Sequence, residues 1–189
     1  MLSESGGMPE LLKESTGAKE IFCVHRLDKD VGGVMVYAKT SQAAGKLSAA
    51  IAGKALHKEY LAAAEGQVPQ CGTMRDLLFH DARKNKTYVV ERERKGVKEA
   101  VLDFKKLCSA GELSLVYITL HTGRSHQIRV QFASRKTSLV GDGKYGSRHR
   151  DMPLGLWAYS LSFPHPVSGE IMHFQKSPPC LPPWDGFNV

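Results

Sequence analysis

No stretch of the 189-residue chain approaches the ~18 consecutive apolar residues that a membrane span needs. Its first residues, MLSESGGMPELLKES, lack a basic segment followed by an apolar one, so no secretory signal is read and a cytoplasmic protein is expected. Cysteine is scarce: Cys23, Cys71, Cys108 and Cys180 are far apart, with no C-x-x-C pair and no Cys/His cluster at zinc spacing. They read as reduced packing residues, which leaves no disulfide framework and no structural metal to expect. Internal repeats are absent, and so is a regular β-α-β alternation. Acidic residues are outnumbered, 19 against 26 Lys+Arg, giving a formal charge of +7. That excess is weak evidence for a nucleic-acid partner until its distribution is known. The composition, 42% hydrophobic and 24% charged, excludes a disordered or collagen-like chain. At this length a single domain buries roughly 70% of the surface its unfolded chain exposes, enough for a core without staples.

The pattern that is present reads as an α+β domain with more strand than helix. Residues 1–20, rich in Ser, Gly and Glu, read as a loose arm with one short helical turn. Ile21–Val24 and Val34–Ala38 are short apolar runs of the size of buried strands. Thr40 or Ser41 is a helix N-cap, and Ala44, Leu47 and Ile51 recur behind it at helical spacing, which predicts a helix over Ser41–Ala52. Lys58–Ala64, Ala-rich and ended by Gly66 and Pro69, fits a strand or a helix. Residues 72–100 are polar, with Tyr88–Val90 as their one strand-like core; seven Lys/Arg stand against two Glu between Arg83 and Lys98, so such a hairpin carries a basic rim. Val101–Leu107 and Leu113–Leu120 read as strands joined by a turn at Ser109–Glu112. Ser125–Ser134 is ambiguous, because Ile128, Val130 and Phe132 alternate while Ile128 and Phe132 are also four apart. Leu156–Phe163 and Glu170–Gln175 are the last strands, followed by an extended tail with four prolines.

Several motifs spell chemistry that their context does not support. Gly141-Asp-Gly143-Lys-Tyr-Gly146 matches G-x-G-x-x-G, but Ser147–Pro153 after it does not open the helix whose N-terminus would hold a pyrophosphate, so it reads as a Gly-rich turn. Asn85-Lys86-Thr87 is a glycosylation sequon by spelling only. His121 and His126 lack a carboxylate or cysteine at ligand spacing. Two segments carry more weight. His25-Arg26-Leu27-Asp28-Lys29-Asp30 puts a carboxylate among basic residues directly after an apolar run, and Thr122–Arg129 gathers polar residues at the end of another strand.

With Lys58-Glu59-Tyr60-Leu61-Ala62 and Gly141–Gly146, these segments stand in one order between about Cys23 and Phe174. In that order they resemble the H-R-L-D, K-x-Y-x-A, T-G-R-x-H-Q-I-R and G-D-x-x-Y-G motifs of the RluA-type family of RNA pseudouridine synthases. The sequence departs from the family pattern at Val31-Gly32, where Thr-Ser is usual, and at Leu156-Trp157-Ala158, where Leu-His-Ala is common. Neither the strand and Lys-Pro motif that usually precede H-R-L-D nor an S4-like RNA-binding domain is present. Residues 1–20 are therefore expected to be the remnant of a shortened first catalytic segment, and 21–189 the catalytic domain.

The resemblance implies a mixed, largely antiparallel central sheet with flanking helices and loops, and isomerisation of a uridine in structured rRNA or tRNA without a cofactor or metal. The N1–C1′ bond breaks, the uracil turns, and C5 joins the same sugar. Asp28 is the expected catalytic carboxylate. A carboxylate in a water-excluding pocket stays ionised when a guanidinium faces it, and Arg124 is the expected partner. Tyr60 would pack on the uracil and serve proton transfer at C5. Arg26 would fill the stack left by the flipped base. His25, Leu27, Ile128 and Arg129 complete the expected substrate pocket, and Arg83, Lys84, Lys86, Arg92, Arg94, Lys95 and Arg148 a phosphate-facing rim. A monomer is expected. The rivals are a non-catalytic or truncated RNA-binding module of the same fold, and a metal-independent RNA hydrolase using His25 or His126.

Overall fold

The computed structural model describes residues 7–187. Its elements are α1 (Met8–Thr16), β1 (Phe22–Cys23), β2 (Gly32–Gly33), β3 (Tyr37–Ala38), α2 (Ser41–Ala52), β4 (His57–Glu65), β5 (Cys71–Asp81), β6 (Lys86–Val90), β7 (Val97–Ala110), β8 (Leu113–Leu120), α3 (Gln127–Ala133), a 3₁₀ turn (Gly143–Tyr145), β9 (Leu156–Pro164) and β10 (Ile171–Gln175). The main sheet runs β10-β9-β4-β8-β7-β5-β6. Every pairing along it is antiparallel, and β2 joins β9 in parallel through Gly32 and Gly33. This is the mixed, largely antiparallel α+β architecture that the resemblance implies.

β4 is central and buried on both faces, which explains its Ala-rich sequence. Tyr60, Ala62 and Ala64 pack on one side with Ile128 and Phe132 of α3. Leu61 and Ala63 pack on the other with Leu115, Val140, Trp184 and Phe187. Small side chains let both layers approach, and a strand covered on both faces shows no alternation. α2 has the predicted bounds, and its cap is Thr40, whose side-chain oxygen accepts the Ala43 N–H at 3.1 Å. α2 and the 22–38 segment form a separate small core around Leu47, Leu56, Leu161 and Phe163.

Four expectations change. The arm contains a nine-residue helix, α1, none of whose residues is buried. The polar 72–100 stretch is opened by an 11-residue strand, β5, whose Thr73 and Arg75 are exposed while Asp76 and His80 are half-buried and bonded to Gln131 and Thr87. The Pro-rich tail is not simply extended: residues 181–186 turn back and bury Trp184 and Phe187. The four cysteines are exposed rather than packed, because each falls at an outward strand position or in the tail.

The two departures from the family pattern meet. Gly32 lies opposite Trp157, and a Cβ on Gly32 would run into the indole ring. Its neighbour Gly33 has φ +123°, and there a Cβ would strike the Ala158 carbonyl. The Gly-Gly pair is what lets the loop bearing Asp28 lie against the backbone of β9.

Candidate active site

Asp28 lies beyond β1 in a loop that closes on itself through the Val31 N–H, which donates to the Asp28 carbonyl at 3.0 Å. Its carboxylate faces a cleft of about 1170 Å³ bordered by Arg26, Leu27, Tyr60, Arg124, Ile128 and Arg129, among others. The guanidinium that meets it belongs to Arg129, not Arg124: Arg129 Nη1 donates to Asp28 Oδ2 at 3.0 Å. Arg124 lines the same cleft but turns its Nε to the Glu99 carbonyl at 2.9 Å. The reason is local. Residues 127–133 form a helix rather than a strand, so Arg129 points inward from its first turn while Arg124 stays in the turn before it.

Gln127 pins that turn. Its Oε1 accepts the Thr122 hydroxyl at 2.8 Å and the Arg124 N–H at 3.1 Å, and its Nε2 donates to the Val101 carbonyl on β7 at 3.1 Å. His126 enters α3 with φ +53°, a left-handed conformation uncommon for a side-chain-bearing residue. Its Nε2 lies 3.9 Å from Asp28 Oδ2. Both contacts thus fall on one oxygen of Asp28, and Oδ1 has no protein partner among the described residues. One side of the carboxylate is anchored and the other is open to a substrate.

Arg129 is itself fixed from behind. Nε and Nη2 donate to the two oxygens of Asp142 at 2.7 and 2.9 Å, and the guanidinium lies over the Tyr145 ring at 5.2 Å. Burial works against its charge, but the bonds to Asp142 and Asp28 outweigh that and hold its pKa above the usual value. Asp142 is 1% exposed. The Gly-rich turn delivers it: Gly141 has φ +76°, and a Cβ there would collide with the Pro153 carbonyl. The turn leads into the 3₁₀ segment, not into the helix of a dinucleotide site. Sequence reasoning does not single out Asp142 and Tyr145 individually; the signal is the G-D-x-x-Y-G spelling, whose Asp and Tyr both point at Arg129.

Tyr60 is buried beside Asp28. Desolvation first, and then the Asp28 charge, push its phenol up to about 12. Leu27 packs against the cluster that holds Tyr60 and Ile128. Arg26 is exposed and borders both the main cleft and a smaller one of about 470 Å³. His25 borders the cleft, but its Nε2 accepts the Val36 N–H at 3.2 Å and its Nδ1 is buried without a partner. Burial, and then Lys58, bring its pKa down to about 4. The imidazole is a neutral loop anchor on the cleft wall, its Nε2 committed to the Val36 N–H, which does not suit an acid or base. His121 is bound to Asp103 at 2.6 Å, and the described residues hold no cluster with the makings of a metal site.

The basic rim divides. Arg83 and Lys84 are exposed at the β5–β6 turn and Arg92, Arg94 and Lys95 in the β6–β7 connection, and none of them lines either cleft. Arg94 stacks on Phe79 at 4.8 Å, and Lys86 lies over Tyr145 at 5.4 Å. Arg148 does not belong with them: it sits at the far end of β4, paired with Glu65 and Glu112 at 3.4 and 3.2 Å.

A family model described as RNA pseudouridylate synthase matches residues 8–134. The ribosomal large subunit pseudouridine synthase D of Vibrio vulnificus is 34% identical over 82% of this chain and 52% of its own length. An uncharacterized RNA pseudouridine synthase of Synechocystis is 38% identical over 81% of this chain and 51% of its own length. The chain thus spans about half the length of these curated relatives. Among solved structures, human RNA pseudouridylate synthase domain containing 1 superposes with a TM-score of 0.77 at 24% identity, covering 92% of this chain and 74% of its own. That likeness concerns the fold.

Proposed function

Because the chain belongs to the RNA pseudouridylate synthase family, we propose that it isomerises uridine to pseudouridine in RNA, with Asp28 as the catalytic carboxylate. The observation that carries this reading is the Asp28–Arg129 pair at the mouth of a cleft whose wall is Tyr60. An anchored Oδ2 and an open Oδ1 suit a carboxylate that must act on the sugar or base of a flipped nucleotide. Arg129 supplies the countercharge, and Leu27, Tyr60 and Ile128 supply apolar walls that exclude water while the uracil is detached. Tyr60 is a phenol in the resting site. It passes on the C5 proton only by giving up its own in the same step. Arg124 serves as a substrate contact on the cleft wall, and exposed Arg26 is placed to enter the stack that the uridine leaves.

The relatives named for the ribosomal large subunit favour rRNA as the substrate class. The exposed Arg and Lys of the β5–β6 hairpin would contact its phosphates. A monomer acting without metal is part of this reading. No helix among the described residues is long and apolar enough to cross a membrane, and a cytoplasmic site of action belongs to the same reading.

The test is tritium release from total RNA labelled at uridine C5. Wild type should release tritium and leave RNA length unchanged, Asp28→Asn should fall to background, and Tyr60→Phe should bind RNA but turn over slowly. Binding by wild type without release would instead make this an RNA-binding module, and shortened RNA would make it a hydrolase.

A further inference from the structure

Behind Asp28 a buried chain of hydrogen bonds runs through the one motif whose tyrosine the proposed reaction does not use. Tyr145 is 8% exposed, and its hydroxyl accepts the Thr87 N–H of β6 at 2.8 Å. The same oxygen is 2.9 Å from His126 Nδ1. On the far edge of that imidazole, Nε2 faces Asp28 at 3.9 Å.

The proton count decides the tautomer. A phenol oxygen that accepts an amide N–H still has one proton to give, and His126 Nδ1 is the acceptor in reach. If Nδ1 carried the proton instead, the Nε2 lone pair would face the Asp28 carboxylate at 3.9 Å, which is unfavourable. The proton therefore sits on Nε2, directed at the oxygen that Arg129 also engages. Tyr145 holds that second group as well, through the face of its ring.

We infer that Tyr145 is a positioning residue for Asp28: its hydroxyl fixes His126 as the Nε2–H tautomer, so that an N–H rather than a lone pair faces the Oδ2 that Arg129 binds, and Oδ1 is left aimed into the cleft. This rests on the proposed role of Asp28. The groups facing His126 are Asp28, Arg129, Lys144 and His80. Burial, with the cations Arg129 and Lys144, keeps the ring neutral against the opposing pull of Asp28.

Two measurements test it. The first needs no activity: ¹⁵N-histidine spectra of the full chain, with the His126 resonances identified by their loss in His126→Gln. Wild type should show an unprotonated Nδ1 and a protonated Nε2, and Tyr145→Phe should mix the tautomers. A protonated Nδ1 in wild type would overturn the inference whether or not the chain is a synthase. The second uses C5-tritiated total RNA. Tyr145→Phe, which keeps the ring under Arg129, should lower kcat about tenfold with KM little changed. The ¹⁵N titration of His126 should move to higher pH in Tyr145→Phe, because Nδ1 without the Tyr145 donor takes a proton more readily. His126→Gln, whose amide N–H does not titrate, should stay within about tenfold of wild type. A Tyr145→Phe protein whose His126 titrates as in wild type would overturn the inference even if kcat falls. Absence of tritium release by wild type, with the expected tautomer seen, would instead sink the synthase reading and leave the hydrogen-bond assignment standing.

Discussion

Replacing Arg129 with methionine removes three charged hydrogen bonds and the contact with the Tyr145 ring at one stroke. The cost is set mainly by Asp142, which is 1% exposed and loses the partner of both its oxygens, whereas Asp28 is partly open to water. Leaving a buried carboxylate unpaired costs about 3–5 kcal/mol. A carboxyl group can escape by taking a proton, which for an ordinary aspartate at pH 7 costs about 4 kcal/mol, so the penalty should not greatly exceed that figure. Against the 5–15 kcal/mol typical of a domain, Arg129→Met should remain folded but lose a large share of its stability. Urea unfolding, monitored by the fluorescence of Trp157 and Trp184, measures the loss. Adding Asp142→Asn removes the stranded charge and should restore about 2 kcal/mol or more, a coupling expected only of groups in contact. If Arg129→Met loses less than about 1 kcal/mol, or the double variant is no more stable than the single, the guanidinium is not the anchor of this site.

Groups outside the cleft give two further expected outcomes. Glu65 is buried at the end of β4; burial alone would raise its pKa, but bonds from the Ser147 hydroxyl, the Arg148 and His149 N–H groups and the His149 ring bring it down to about 2. A lowered carboxylate stabilises the fold above its unfolded pKa and loses that contribution as pH falls from about 4.5 through about 2, so acid titration of Glu65→Gln against wild type should show a gap of about 3 kcal/mol at neutral pH that closes over this window; a gap unchanged at pH 2.5 would refute it. Gly32→Ala should cost about 1–3 kcal/mol because its methyl meets the Trp157 ring, and Trp157→His should relieve most of that cost, as read by the same urea titration; simple additivity of the two changes would show that the positions do not press on one another.

The elements that could be read from the sequence are those with local signals. The α2 helix announces itself by Thr40 and a one-sided apolar spacing, and β8 by its strongly apolar sequence after a turn. β4 and α3 could not be assigned by periodicity because both are enclosed: all of Gln127–Phe132 is buried, so no polar face marks the helix. The misassigned arginine has the same origin. Arg124 and Arg129 are equal candidates until the start of α3 decides which one turns inward, and that start is set by the Gln127 side chain and by contacts with β7. Asp28, Tyr60 and the Gly-rich turn were legible as motifs. The partner of Asp28, and the purpose of the turn in holding it, depend on the tertiary fold.

Asp28 and Arg129 are 101 residues apart, and the loop carrying Asp28 pairs with the main sheet through the two glycines of β2 while Leu27 and Val31 rest on the core around Tyr60. The rest of the 22–38 segment packs on the small core around Leu47 and Phe163. The carboxylate thus rides on a segment with fewer core contacts than the helix that carries its countercharge. Denaturant or heat strong enough to loosen the 22–38 segment, while β4 and its neighbours hold, would part the two charges first. The pairing of Asp28 with Arg129 is thus a more fragile property of this chain than its fold.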